Sequence, residues 1–309
     1  MRSILLVGSL LLGLGCSSSP EPQCRVGADC ASGICISDGT CAPVQPPGDD
    51  AADDTLSEET STGDDAEPEA ETDAGPASCS PNHDGVIARE EIPLRAGLHA
   101  TFAIAADAPV DTAGTQSGGV TTWDLSGDLP GDHLSLVELQ DVAGSWFAPK
   151  FPAASYASRL SDAETLLGVF QITDTELLLL GVVSPEGGAT RTELAYDPPV
   201  VTLRFPIQSG ATWSTTATVK GFAMGVPSNY TEKYESQIDA AGDLKTPYGS
   251  FEVQRIQTVL TRTVAMVPTT IRTFLFVTEC FGTVAAITSK NNEKQVEFTT
   301  ATEVKRLSK

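Results

Sequence analysis

Residues 251–267 read FEVQRIQTVLTRTVAMV. This is the longest run of threonine and β-branched residues in the chain, and Ile256, Leu260 and Val264 share one phase of a two-residue period. Alternation of this kind is what a strand with one buried face needs, because successive side chains point to opposite sides of a sheet. The same period recurs on both sides of it. Leu98, Ala100, Phe102 and Ile104 alternate with His99, Thr101 and Ala103. Tyr230–Ile238, Thr270–Thr278, Thr283–Thr288 and Lys294–Val304 read as further strands.

Turn residues punctuate these runs: Ser-Pro-Glu-Gly-Gly at 184–188, Asp-Pro-Pro at 197–199, Gln-Ser-Gly at 208–210, Thr-Pro-Tyr-Gly at 246–249 and Lys-Asn-Asn at 290–292. Short strands at close spacing without helix-length patterns between them predict an all-β domain over 78–309. Its expected form is an antiparallel sandwich or open barrel. Pro152–Leu160 reads as a short helix. Leu177–Val183 is the longest unbroken apolar run of this domain and is too short for a membrane helix. Leu177–Leu180 break the alternation, as a strand buried on both faces does. Aromatics are 6% of the chain, too few for the girdles of a membrane-spanning barrel.

Working outward to the N-terminus, residues 48–75 hold twelve Asp or Glu, no Lys or Arg, and Leu56 as the one large apolar side chain. Such a segment cannot bury enough surface to offset ordering entropy, so 42–77 is expected to be a disordered acidic linker. The whole chain carries a formal charge of −22. The β domain keeps 26 acids against 17 bases, which argues against nucleic acid as a partner.

Seven cysteines remain to be placed: 16, 24, 30, 35, 41, 79 and 280. Cys24, Cys30, Cys35 and Cys41 lie within 24–41, a segment too short for a core of its own. Two disulfides of open connectivity are the economical reading, and a zinc site is the alternative. Cys79 and Cys280 form a distant pair that would tie the start of the domain to a late strand. The alternatives are two separate thiols or exchange with the 24–41 group.

The first residues are MRSILLVGSLLLGLGC, followed by SSSP. Arg2 supplies a positive start, Ile4–Leu14 a short apolar stretch, and Gly15 a small residue before Cys16. The pattern resembles a bacterial lipoprotein signal peptide over 1–15, although Gly13 stands where such signals usually carry Leu. The resemblance implies acylation of Cys16 by palmitate-like chains, a mature N-terminus over 16–23, and attachment to a membrane. Ser17, in place of Asp, implies the outer membrane of a Gram-negative envelope. Removing Cys16 from the thiol pool leaves an even number of cysteines in an oxidising compartment. The 24–41 stretch is similar to small cysteine-rich modules of bacterial surface lipoproteins. The strand-rich domain faintly resembles the open β half-barrels of periplasmic lipoprotein carriers.

Chemistry-bearing motifs are sparse. Ser80–Glu91 reads SPNHDGVIAREE. On an EF-hand calcium loop, Asn82, Asp84, Val86 (by its carbonyl) and Glu91 fall on ligand positions, and Gly85 on the sharp turn. Ser80 begins the loop where a carboxylate normally stands, and Pro93 interrupts the exit helix. The competing reading is an Asn-His-Asp-Gly turn closed by Asx hydrogen bonds. No cofactor other than this calcium ion is implied. Of the histidines His83, His99 and His133, His133 sits in a loop with Ser135 two residues on. Nucleophile elbow, zinc-protease, P-loop and dinucleotide motifs are missing. Trp123 and Trp213 read as core residues in strands, and Trp146 as a staple under a loop. The sequence therefore points to a membrane-anchored, non-catalytic binding module for a protein, glycan or lipid. An envelope hydrolase using His133 as base, and a structural surface protein, are the alternatives.

Overall fold

A computed structural model of the protein describes residues 79–309. The signal segment, Cys16, the cysteines at 24, 30, 35 and 41, and the acidic linker lie outside the described residues. In chain order the strands are β1 (Val86–Ile87), β2 (His99–Pro109), β3 (Thr115–Ser117), β4 (Val120–Asp124), β5 (His133–Glu138), β6 (Tyr156–Arg159), β7 (Leu167–Ile172), β8 (Glu176–Val183), β9 (Glu193–Arg204), β10 (Ile207–Gln208), β11 (Thr212–Ala223), β12 (Val226–Lys245), β13 (Ser250–Val264), β14 (Val267–Thr278), β15 (Gly282–Ser289) and β16 (Thr300–Leu307). Two single 3₁₀ turns, Arg89–Glu91 and Ala148–Lys150, are the sole helical pieces among the described residues. None of these is long and apolar enough to cross a membrane.

Twelve strands form one antiparallel path in the order β5-β2-β16-β15-β14-β13-β12-β11-β9-β8-β7-β6. Its ends meet where Gln140 and Ala157 exchange backbone hydrogen bonds of 2.7 and 2.9 Å, so the sheet is a nearly closed barrel. That one bridge ties together the two edges that an open sheet would leave apart. One row shows how the interior is filled. Ile238, Ile256, Leu275, Ala286, Lys305, Ile104 and His133 are successive cross-strand partners from β12 to β5 and face the same side. Ile238 and Ile256 are wholly buried, and Trp213, Leu203, Phe205 and Ile207 fill the space around them. The N-terminal segment adds Ile87 and Ile92 to this core as β1 pairs with β10.

The opposite face of the same strands is also covered. β4 runs parallel to the end of β12 along the edge that β11 leaves open, and brings Trp123 onto Phe276 at 5.2 Å. A Cβ on Gly242 would run into the Thr121 carbonyl, so glycine is required where β4 docks. Phe274, Phe298 and Leu244 complete this outer core. Each such large apolar side chain stabilises the fold by roughly 1.5–3 kcal/mol on burial.

The structure corrects the sequence reading at several points. Pro152–Leu160 contains strand β6 instead of a helix. Tyr156, Ala157 and Ser158 are all buried, because this strand pairs with β7 and supplies the closing bridge. Asp197-Pro198-Pro199 lies within β9, not at a turn. The prolines, which have no N–H to donate, are exposed where the β8–β9 register shifts around Leu179 and Gly181. The run 251–267 is not one strand: it turns at Ala265-Met266 into β14. Both residues have positive φ, 47° and 67°. Left-handed geometry at such side chains costs roughly 1–2 kcal/mol each, so no turn signal was visible there. Lys294–Val304 begins as loop, and its strand is Thr300–Leu307. The doubly buried reading of Leu177–Leu180 agrees with β8, where Leu177 faces the central core and Leu180 the loop residues Phe147 and Phe151.

Candidate functional site

A half-open groove of about 320 Å³ lies at the end of the barrel carrying the β12–β13 and β14–β15 turns. Residues 81–87 form one wall, and the start of β13 with Thr278–Phe281 forms the other. The wall is held by a covalent staple: Cys79 and Cys280 are joined by a disulfide, with Cα atoms 5.4 Å apart. Beside it the buried Glu279 carboxylate accepts hydrogen bonds from the Asn82 and His83 amides at 2.6 and 3.4 Å. Gln254 Nε2 donates to the Gly85 carbonyl at 2.9 Å, and His83 Nδ1 stands 3.1 Å from Glu252 Oε2. Positive φ at His83 and Gly85 bends the wall over the sheet.

The floor of the groove is aromatic. Tyr248 and Phe251 stack with centroids 6.1 Å apart, and Phe281 meets them edge-on at 5.8 and 5.2 Å. Apolar ring faces beside hydrogen-bonding carboxylate, amide and imidazole groups give a surface that can take a ligand presenting both character types.

The expected calcium loop forms part of this wall, and its groups are turned to other uses. Asn82 Oδ1 accepts from the Asp84 amide at 2.9 Å, and Asp84 Oδ1 from the Val86 amide at 2.8 Å. Glu91 takes Asn82 Nδ2 on one oxygen at 2.8 Å and the Ala88 amide on the other at 2.7 Å. Val86 is drawn into the β1–β10 ladder opposite Gln208. The four positions are therefore close together, but they close as consecutive Asx turns in place of a sphere of free oxygens. Among the described residues no group of three or more His, Cys, Asp or Glu could hold a metal ion.

His133 and Ser135 lie on β5 and face Asp162, which follows β6. The Asp162 carboxylate accepts from Ser135 Oγ at 2.9 Å and meets His133 Nε2 at 2.7 Å. Nucleophilic catalysis needs the histidine between serine and acid. Here the acid stands between the other two, so the arrangement clamps the barrel seam and does not activate a hydroxyl. The adjoining void is about 10 Å³, the size of a single water and no room for a substrate. His99 is half-buried opposite Glu138, on the β2–β5 ladder that also carries Ser135 and His133.

The hydrogen bond to Asp162 raises the His133 pKa above 6.5, helped by the Gly131 carbonyl. For Asp162, burial pushes the pKa up, but hydrogen bonds from His133 and Ser135 outweigh it and leave it below the ordinary value. The stabilisation from His133 is thus full below its unfolded pKa and is lost as pH rises through the elevated folded value. NMR titration should place the His133 midpoint above 6.5, and Asp162→Asn should return it towards that value. An unchanged midpoint in the variant would remove Asp162 as the cause.

Sequence reasoning missed a buried charge. Glu232 on β12 faces the barrel interior with no exposure. Arg262 Nε and Tyr234 Oη each donate to it at 2.6 Å. Burial, with the nearby Glu232 charge, holds the Tyr196 and Tyr234 hydroxyls protonated far above the usual tyrosine range. Tyr230, Glu232 and Tyr234 do share one strand phase, so alternation alone could have flagged a carboxylate on an inward face. The three tryptophans sit as read: Trp123 and Trp213 are buried in β4 and β11. Trp146 staples a loop by donating to the Ser184 and Pro185 carbonyls.

Set against protein families, curated proteins and solved structures, the chain shows no significant match to any of them.

Proposed function

We propose that this chain is a lipid-anchored envelope protein whose barrel is a non-catalytic binding module, with the groove at the β12–β13 end as its ligand site. The observation that carries this is the aromatic floor of Tyr248, Phe251 and Phe281 under a rim of His83, Glu252 and Gln254. Of the protein, glycan and lipid ligands that fit an anchored module, a neutral or amino-bearing glycan fits this rim best. Sugar rings present apolar C–H faces to aromatic surfaces and hydroxyls to amides and carboxylates, and the acidic rim disfavours anionic lipids. Acylation at Cys16 would hold the protein on the outer membrane, with residues 42–77 as the tether between anchor and barrel. The Asp162-centred arrangement gives the hydrolase alternative no support.

Two measurements on the protein from native membranes test the reading. Intact mass spectrometry should show a chain starting at an acylated Cys16, and a different start without lipid overturns the anchor. On an immobilised glycan array the protein should retain neutral or amino sugars. Phe281→Ala, which removes one ring of the floor, should weaken retention by about tenfold, since contacts of this kind contribute roughly 1–2 kcal/mol. Retention unaffected by Phe281→Ala, or displacement of the retained sugar by a fluorescent fatty acid, overturns the glycan assignment.

A further inference from the structure

The charges of the groove are mostly of one sign. Two carboxylates line it: Glu252, exposed at the rim, and Glu279, buried behind the wall. The one basic side chain of the lining is His83, 3.1 Å from Glu252, and no Lys or Arg belongs to it. With His83 charged the lining keeps one negative charge in excess, and with His83 neutral it keeps two. Asp84 adds a further exposed acid on the same wall. Of the bases nearby, Lys245 pairs with Asp124 at 3.5 Å, and Arg89 lies over the Phe205 ring and donates to the Ile92 carbonyl. Lys309, two residues past the Leu307 carbonyl that takes the Tyr248 amide, is outside the lining.

Gln254 supplies an independent observation. It lines the groove and is 6% exposed. Its Nε2 is spent on the Gly85 carbonyl at 2.9 Å, which fixes the amide and leaves Oε1 as the other end. That Oε1 is buried and has no hydrogen-bond partner among the described residues. A buried acceptor without a donor is destabilising, so the lining lacks an N–H or O–H at this point. Acceptors in excess, negative charge in excess and three aromatic rings together describe a site for a cation that carries its own donors.

We infer that the sugar taken by this groove carries a free, protonated amino group, as an unacetylated 2-amino sugar does. The inference rests on the glycan reading above and narrows it. An ammonium group has three N–H donors and no acceptor, the complement of a lining rich in acceptors. Its charge is attracted both by the Glu252 carboxylate and by the ring faces of Tyr248, Phe251 and Phe281. Sugar N–H and O–H groups also supply the donor that Gln254 Oε1 lacks. An N-acetylated sugar brings a neutral amide with a single donor and leaves the carboxylate charge unmet.

Titration calorimetry on the full protein purified from native membranes tests this with a glucosamine tetrasaccharide and its N-acetylated counterpart, at a pH where the free amines are charged. The unacetylated probe should bind about tenfold more tightly, and high salt should shrink the difference. Glu252→Gln, which keeps the shape of a rim side chain and removes its charge, should bring the two affinities within about threefold of each other. Gln254→Met keeps the side-chain length, removes the acceptor and should weaken the unacetylated probe by about fivefold. Equal or tighter binding of the N-acetylated probe, or a preference that survives Glu252→Gln, overturns the inference and leaves the glycan reading standing. Binding of neither sugar overturns the glycan reading and the inference with it. Tighter binding of tetralysine than of either sugar also overturns both, and assigns the groove to a basic peptide.

Discussion

Replacing Cys79 and Cys280 together by serine is expected to lower the melting temperature of the barrel by roughly 10 °C. The disulfide closes a loop across a sequence separation of 201 residues. In the chain-entropy treatment a closure of this length removes freedom from the unfolded chain equivalent to about 5 kcal/mol, and measured values more often fall at about 2–4 kcal/mol. For a domain of this size each 1 kcal/mol moves the melting point by about 2–4 °C. The folded state should change less. Ile87 and Ile92 remain buried in the central core, and Glu279 still receives the Asn82 and His83 amides. The variant should therefore reach the same folded spectrum, with faster hydrogen exchange confined to the groove wall around 81–87. Thermal unfolding by circular dichroism checks the first part. A melting point within about 2 °C of the parent would mean that the cross-link does not restrict the unfolded chain.

That disulfide also marks how much of the site was legible. The expected pairing of Cys79 with Cys280, which the structure shows, already tied the start of the domain to a late strand. It could not show that Tyr248 and Phe251 would lie below it, since Gln254 and Gly85 meet across 169 residues. Strand positions were legible because alternation is a local property of the chain. Turns were legible where Gly or Asn carried the unusual backbone, as at Gly188, Gly210 and Asn292, which have positive φ. They were hidden at Ala265-Met266, where the residues contradict the conformation. Asp197-Pro198-Pro199 misled in the opposite sense. Prolines forbid ladder bonds, but at a register shift no bond is needed. The helix expected over 152–160 failed because that segment's neighbours in space, β7 and Gln140, decide its conformation.

The two ends of the barrel differ for reasons that the sequence distributes along its length. The β12–β13 and β14–β15 turns carry aromatics and acids, Tyr248, Glu279 and Phe281, and take the cross-linked N-terminal segment. The β11–β12 and β13–β14 turns carry exposed methionine and valine, Met224, Val226, Met266 and Val267. A meander alternates its turns between the two ends, so every second turn contributes to the same surface. Reading turns in alternate sets is what separates the groove end from the opposite end here.

Arg255→Leu is expected to cost about 3–5 kcal/mol of stability, the usual range for orphaning buried charge partners. Arg255 on β13 is buried, and its guanidinium binds Asp239 through Nε and Nη2 at 3.0 and 2.8 Å. The same group binds Glu297 at 2.8 and 3.3 Å and the Thr112 carbonyl at 2.6 Å. It also lies 4.4 Å from the Phe274 ring centre and 5.2 Å from that of Trp123. One side chain thus joins the β12 register shift, the β15–β16 loop and the segment leading to β4. Burial lowers its pKa, but the hydrogen bonds it donates to the two carboxylates more than compensate, so it stays charged. Leucine fills part of the volume and leaves Asp239 and Glu297 facing each other without the cation. If that orphaning is the cause, adding Asp239→Asn and Glu297→Gln to Arg255→Leu should recover a large part of the loss, although each change alone destabilises the parent. Chemical denaturation of the parent, the single variants and the triple variant measures this coupling directly. Additive losses would show that packing against Phe274 and Trp123, and not charge pairing, is what Arg255 contributes.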